Sequence, residues 1–208
     1  MPLPNPLATA PRRASPHAAR KVAKFTPMDT YGIPRGVRVG HVHLMVSDVD
    51  RALGFYRELL GLKITGYFPE APPHLIVFLA ADDSHHDLAL NAITSRGGGP
   101  PPPGHTGLFH VAFQYPTRDT LAAAVRRIHG HGIPFRDTRG ELLAWPMVAF
   151  DHLTCTSFYV KDPDGTRVEL FCDQPRSEWR RTADGLLRMG NQLCDVLSVL
   201  PEVGSAEN

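Results

Sequence analysis

The sequence predicts an α+β fold built from two copies of one module, each a strand, a helix and three further strands. Three observations carry that prediction. Two alternating apolar runs, VRVGHVHLMV (37–46) and LFHVAFQY (108–115), read as half-buried strands. Each is followed at once by a segment of helical period with a start signal and a terminal glycine. After each helix come further short β-like runs, so element order and spacing repeat even though residue identity hardly does.

In the first copy, Ser47 or Asp48 is placed to cap a helix. Leu53, Tyr56, Leu59 and Leu60 share one face of it, and Gly61 closes it. LKITGYF (62–68), HLIVFLA (74–80) and HHDLALNAI (85–93) supply the three strands. TSRGGGPPPPGHTG (94–107) is a connector by composition. In the second copy, PTRDTLAAAVRRIHGHG gives a helix with Pro116 near its start and Gly130 or Gly132 at its end. IPF (133–135) begins another extended run. TSFYVKD (156–162) and TRVELFCD (166–173) close a hairpin through the tight turn DPDG.

The domain boundaries expected from this pattern are a disordered leader over 1–35, one domain over 36–175 with modules at about 37–93 and 108–173, and a tail over 176–208 holding a short helix. The leader carries prolines at 2, 4, 6, 11 and 16, which interrupt any helix. Residues 138–151, TRGELLAWPMVAFD, form an apolar insertion suited to a lid or a dimer contact.

Composition removes several classes of function. The chain has 208 residues, 42% of them hydrophobic, and a net charge of +1, with its 22 basic residues spread thinly. Such a surface attracts neither nucleic acid nor anionic membrane. No apolar run approaches the roughly 18 residues of a membrane span. Cys155, Cys172 and Cys194 form no CxxC pair, which points to a reducing cytosol and away from a disulfide framework or a zinc–thiolate site.

Alternation also tells which side chains share a face. His41 and His43 lie opposite Val42, Leu44 and Val46. His110, Ala112 and Gln114 lie opposite an apolar face of Phe109, Val111, Phe113 and Tyr115. In the closing hairpin, Tyr159 and Glu169 lie opposite Phe158, Val160, Val168 and Leu170. If the helices cover the apolar faces, the polar faces line one concavity that holds His41, His110, Tyr159 and Glu169. Two imidazoles and a carboxylate from three separate strands have the composition of a facial triad for a divalent metal.

The stretches GHVHLMVSDVDRALGFYRELLG, GLFHVAFQYPTRDTLAAAVRRIHGHGIPF and FYVKDPDGTRVELF resemble the vicinal oxygen chelate superfamily, which includes glyoxalase I, bleomycin-resistance proteins and extradiol dioxygenases. The resemblance spans about residues 37–175. It implies paired βαβββ modules forming a half-open β-barrel around one metal, with His41, His110 and Glu169 as ligands.

Within that superfamily, HHDLALN (85–91), the DPDG turn and the RxEW tail are similar to catechol-2,3-dioxygenase-like proteins. That likeness implies roles for His86 as acid and base, and for His152 and Tyr159 in orienting substrate. It implies Fe(II) first among metals, with Mn(II), Ni(II) and Zn(II) suited to the same ligands. Its substrates would be a catechol-like aromatic and O₂, and a homodimer fits the fold. Strict alternation puts His86 on the apolar side with Leu88 and Leu90, so the role requires the strand to start irregularly. Asp87 matches a fourth ligand position of glyoxalase I one methylene short, which keeps a glyoxalase-type lyase or isomerase as the alternative. A resistance protein that only binds a small molecule is the third class.

Overall fold

A computed structural model describes residues 32–70, 72 and 75–204. Most of the expected leader, and His74 at the head of one expected strand, lie outside the described residues. The chain divides into two units, Met1–Arg38 and Val39–Asn208. The second unit contains every element discussed below.

The two modules share one topology. In the first, β1 (Val42–Met45), β2 (Lys63–Tyr67), β3 (Ile76–Ala80) and β4 (Leu88–Asn91) form a sheet in the order β1-β4-β3-β2. In the second, β5 (Val111–Gln114), β6 (Ala149–Asp151), β7 (Cys155–Lys161) and β8 (Arg167–Asp173) repeat it as β5-β8-β7-β6, with β9 (Gln192–Cys194) added beyond β6. The first strand of each module pairs parallel with the last, and the remaining pairs are antiparallel. Each module's helix supplies the connection between its first two strands.

Register explains which face is core. Leu44, Leu90 and Val77 form one row and Val42, Leu88 and Leu79 the next. Helix α1 (Val49–Leu53) covers them, capped by the Asp48 carboxylate, which accepts from the Arg51 amide. The helix continues as a wider π turn over Gly54–Leu59, which puts both Phe55 and Tyr56 into the core. Gly61, at φ +87°, then ends it. In the second module the rows are Val111–Val168–Val160 and Phe113–Leu170–Phe158. Helix α2 (Arg118–Gly130) packs Leu121, Ala122, Val125 and Ile128 against them. Thr117 caps α2 through a reciprocal box with Thr120.

The DPDG turn does more than close a hairpin. Asp164 accepts from the Ser47 amide at 2.9 Å, from the Ser47 hydroxyl at 2.6 Å and from Arg51. The Tyr56 hydroxyl donates to the buried Asp162 carboxylate at 2.9 Å. These bonds fasten the β7–β8 hairpin to the N-terminal end of α1 and to the π turn that continues it, so the second module's strands are indexed on the first module's helix.

Several elements differ from the sequence pattern. β5 starts only at Val111, and Phe109 is not on the apolar face; it is 60% exposed and stacks under the Arg167 guanidinium. A cation over the ring gives an aromatic side chain a favourable place outside the core. The second strand of the second module is not IPF but β6, at the end of the insertion. The first part of that insertion is a turn, pinned by Arg136 and Arg167 to the carbonyls of Thr138, Arg139 and Gly140. Trp145 then stacks on His129 with ring centroids 4.0 Å apart. In the described part of the C-terminal tail the α-helix is short, Val196–Val199 (α3), followed by a 3₁₀ turn at Pro201–Gly204, because Gln192–Cys194 pairs with β6 and Asp195 caps the turn that follows. Val196 and Leu200 are fully buried, and Arg118 on α2 holds Glu202 and the Val199 carbonyl. No helix among the described residues is long and apolar enough to cross a membrane.

Candidate active site

The polar face of the second sheet carries the densest chemistry. Ala112, Glu169 and Tyr159 form one row of it, and Gln114, Phe171, Ser157 and Phe150 the next. Glu169 is 7% exposed and Tyr159 5%. A carboxylate so buried requires partners, and three groups surround it. His110 Nε2 lies 3.1 Å from Oε2, the Tyr159 hydroxyl donates to Oε1 at 3.0 Å, and His152 Nε2 stands 4.0 Å from Oε1.

His152 is held at both ends. Its Nδ1 faces the Gly190 carbonyl at 2.8 Å and its Nε2 faces the Tyr159 hydroxyl at 2.9 Å. A carbonyl has no proton to give, so Nδ1 carries one. The single phenolic proton of Tyr159 then stands between two acceptors, Glu169 and a neutral His152. All three bonds form at once when one more proton is present, on Nε2, which then donates to the phenol oxygen, or on the Glu169 carboxyl. The row is thus a wire with room for one more proton. Burial, and then the Glu169 charge, push the Tyr159 hydroxyl far above the ordinary phenol range, so it stays a donor. Phe150 walls the row, its ring 5.5 Å from that of Tyr159 and stacked 6.1 Å from that of His152.

The other expected residues lie on the first sheet. The His41 ring is 4.4 Å from that of His86 and 6.4 Å from that of His85. The His86 ring also packs on Phe78 at 4.9 Å, and Phe78 shares a row with His43 and Ala89 on the face opposite the core. His86 reaches that face because the chain bends through residues 81–85 and β4 begins only at Leu88. Loss of hydration, then the neighbouring rings of His41, His85 and His43, lower the pKa of His86 below the ordinary histidine value. Asp87 is already engaged: its carboxylate accepts from the Ala81 amide at 2.9 Å and the Ser84 hydroxyl at 2.7 Å, holding the β3–β4 turn.

An open cavity of about 510 Å³ lies between the modules, with His41 and Asp87 on one side and Val111, Ala112, Gln114 and Tyr115 on the other. That size suits a small ligand. A larger groove of about 800 Å³, over α2 and the π turn, contains none of the residues above except Tyr115.

Whether a divalent cation fits can be judged from the donor atoms. Two ligands about 2.1 Å from one ion and at right angles are about 3.0 Å apart. His110 Nε2 and Glu169 Oε2, at 3.1 Å, match two adjacent positions of such a shell. His41, expected as the third ligand, packs with His86 instead of joining that pair. Among the described residues no three histidine, cysteine or acidic side chains form a set that holds a metal ion. His110 Nδ1 is buried without a hydrogen-bond partner among the described residues, so none of these gives the ring the outer anchor that metal-bound histidines usually have.

Pattern reading missed the Gly190 carbonyl, the Arg167–Phe109 stack and the Asp164 clamp. Only the last had a signal, since two acidic residues in one tight turn leave a carboxylate free to reach outward.

The fold and this site define a class, the paired-βαβββ proteins that build small-molecule chemistry on sheet faces, and comparison with known proteins gives that class its name. A family profile described as the Glyoxalase/Bleomycin resistance protein/Dioxygenase superfamily matches residues 38–170, and the chain belongs to that superfamily. It is 28% identical over 172 residues to the catechol-2,3-dioxygenase of Bacillus subtilis (strain 168), covering 83% of this chain and 54% of the relative. It is 31% identical over 138 residues to a biphenyl-2,3-diol 1,2-dioxygenase 3 of Rhodococcus globerulus, covering 65% and 63%. The chain therefore spans between half and two thirds of the length of these relatives. Among solved structures, a glyoxalase/dioxygenase from Nostoc punctiforme shares the fold with a TM-score of 0.52 and 23% identity, over 71% of this chain and 99% of that one.

Proposed function

We propose that this protein is a metal-dependent, extradiol-type dioxygenase that opens the ring of a catechol-like aromatic with O₂ in the cytosol. On this reading residues 36–175 are the working domain, and two copies of the chain pair as a homodimer. The observation that carries the reading is the row His110–Glu169–Tyr159–His152, in which the pair proposed to hold the metal touches a chain of hydrogen-bonded groups able to pass a proton. The dioxygenase names of the relatives support it.

His110 and Glu169 would hold the ion, Fe(II) or another divalent metal, as two of its protein ligands, and His41 is the third that the family resemblance names. A metal bound there would supply a Lewis acid that favours the ionised form of a catechol hydroxyl and brings substrate and O₂ together. The chain's own residues do the rest. Tyr159, kept protonated, donates to a substrate oxygen, and His152 supplies or accepts the next proton through the same hydroxyl. Phe150 shields the row from water on one side and keeps its hydrogen bonds strong. His86, whose ring packs on His41 and Phe78, would take the second hydroxyl proton.

The glyoxalase-type alternative asked for Asp87 as a fourth ligand. The two bonds that Asp87 makes within its own turn weigh against that role. The test is anaerobic loading with Fe(II) or Mn(II), followed by catechols with and without air. Oxygen uptake with a new yellow absorbance is the expected result. Conversion of the methylglyoxal–glutathione hemithioacetal without oxygen use would replace this reading by the alternative.

A further inference from the structure

Lys161 and Arg167 face one another across the β7–β8 pair, two residues along from Tyr159 and Glu169. They therefore share the face of the active row and lie about 7 Å from it. Both converge on the turn at Gly140, whose φ is +94°. A methyl group on Gly140 would stand 3.4 Å from Lys161 Nζ and 3.4 Å from Arg167 Nη2, so the two cationic ends close tightly on the same point of the turn. Arg136 joins them: its Nη1 donates to the Gly140 carbonyl at 2.9 Å, and its Nε is buried with no hydrogen-bond partner among the described residues. Arg167 donates to the carbonyls of Thr138 and Arg139.

Carbonyl oxygens accept these bonds but carry no net charge. Among the described residues none of the three cations forms a salt bridge; of the two acidic residues of the same turn, Asp137 is taken by Arg139, and Glu141 is exposed and pairs with none of the three. Three positive charges gathered beside a buried active row repel one another until an anion arrives. A carboxylate suits the place, because a planar pair of oxygens can accept from a guanidinium and an ammonium together.

We infer that the substrate bears a carboxylate, and that Lys161, Arg136 and Arg167 receive it at the Gly140 turn while the ring lies against His110 and Glu169. This rests on the ring-cleavage reading above and names the substrate class within it: an aromatic diol whose acid group is attached directly to the ring or through a short tether. Lys161 is the residue to change, since it makes no hydrogen bond that holds the turn, whereas Arg136 and Arg167 do.

Calorimetric binding of 3,4-dihydroxybenzoate, its methyl ester and benzoate to the metal-loaded protein tests the inference. The acid should bind about tenfold more tightly than the ester, the scale of one charge-assisted hydrogen bond. That advantage should vanish in Lys161→Met and return in Lys161→Arg. Equal binding of acid and ester, an advantage untouched by Lys161→Met, or benzoate binding as tightly as the diol acid would overturn it. Oxygen uptake on the same samples separates the two claims. If the ester is opened and the acid has no advantage, the niche fails and ring cleavage stands. If Lys161-dependent binding of the acid appears but neither compound is opened, the niche stands and ring cleavage fails.

Discussion

At the scale of single residues, the most exacting contact is the approach of Gly190 to Leu153. Gly190 and His152 are bonded twice: the Gly190 amide donates to the His152 carbonyl at 2.9 Å, and the His152 ring donates from Nδ1 to the Gly190 carbonyl. Leu153 sits at φ +67°, a costly place for a branched side chain. A Cβ on residue 190 would come within 2.8 Å of Leu153 Cγ. Gly190→Ala should therefore destabilise the protein by about 1–3 kcal/mol in denaturant unfolding. It should also loosen the tautomer of His152, seen by ¹⁵N NMR of its ring. Adding Leu153→Ala should restore most of both, and a double variant as damaged as the single one would show that the collision is not the cause. Nothing in the string RMGNQ announces this contact, because it is made by a backbone carbonyl thirty-eight residues away from the ring it orients.

His86 gives a second test at this scale. Its pKa is lowered in the folded protein, so the folded state binds fewer protons than the unfolded chain just below the ordinary histidine pKa. Stability from this group is present above that value and is lost as pH falls toward the folded pKa. An NMR titration should place the His86 midpoint below that of an unperturbed histidine. His41→Ala should raise it only partly, because desolvation is the larger cause. A midpoint at or above the ordinary value would contradict the packing of His86 on His41 and Phe78.

Among elements, the Asp164 clamp decides how the modules meet. A carboxylate at a helix N-terminus is favoured by the free amides and the dipole there, and Asp164 takes both the Ser47 amide and hydroxyl. In a double-mutant cycle, Ser47→Ala and Asp164→Ala should show a coupling of about 0.5–3 kcal/mol by denaturant unfolding. Additive effects would mean that the contact is incidental. The DPDG string was legible as a turn; its reach to Ser47, 117 positions earlier, was not, since alternation and period report only local geometry. The same limit hid β6. Its strand is three residues long, lies at the end of an insertion, and is held by pairing with β7 and β9 rather than by any pattern of its own. By contrast, the two alternating strands and their capped helices were legible. Burial of one face imposes the period on the sequence, although Phe109 shows that an aromatic at a strand's edge can satisfy itself on a guanidinium instead.

For the molecule as a whole, the pseudo-repeat places one wall of chemistry on each sheet and a cavity between them. Alternation correctly put His110, Tyr159 and Glu169 together, because all three lie on strands joined by direct pairing or one residue from it. It offered no way to measure the gap between sheets, and that gap is where His41 stands apart. The central proposal is that His110 and Glu169 are the pair that holds the metal. Its most direct test is equilibrium binding of Mn(II), followed by EPR, to the wild-type chain, His110→Ala, Glu169→Gln and Asp87→Asn. The account predicts one ion per wild-type chain, a loss of affinity of about tenfold to a hundredfold or more in His110→Ala and Glu169→Gln, and an unchanged site in Asp87→Asn. Binding that survives in Glu169→Gln, or that disappears in Asp87→Asn with the fold intact, would contradict it.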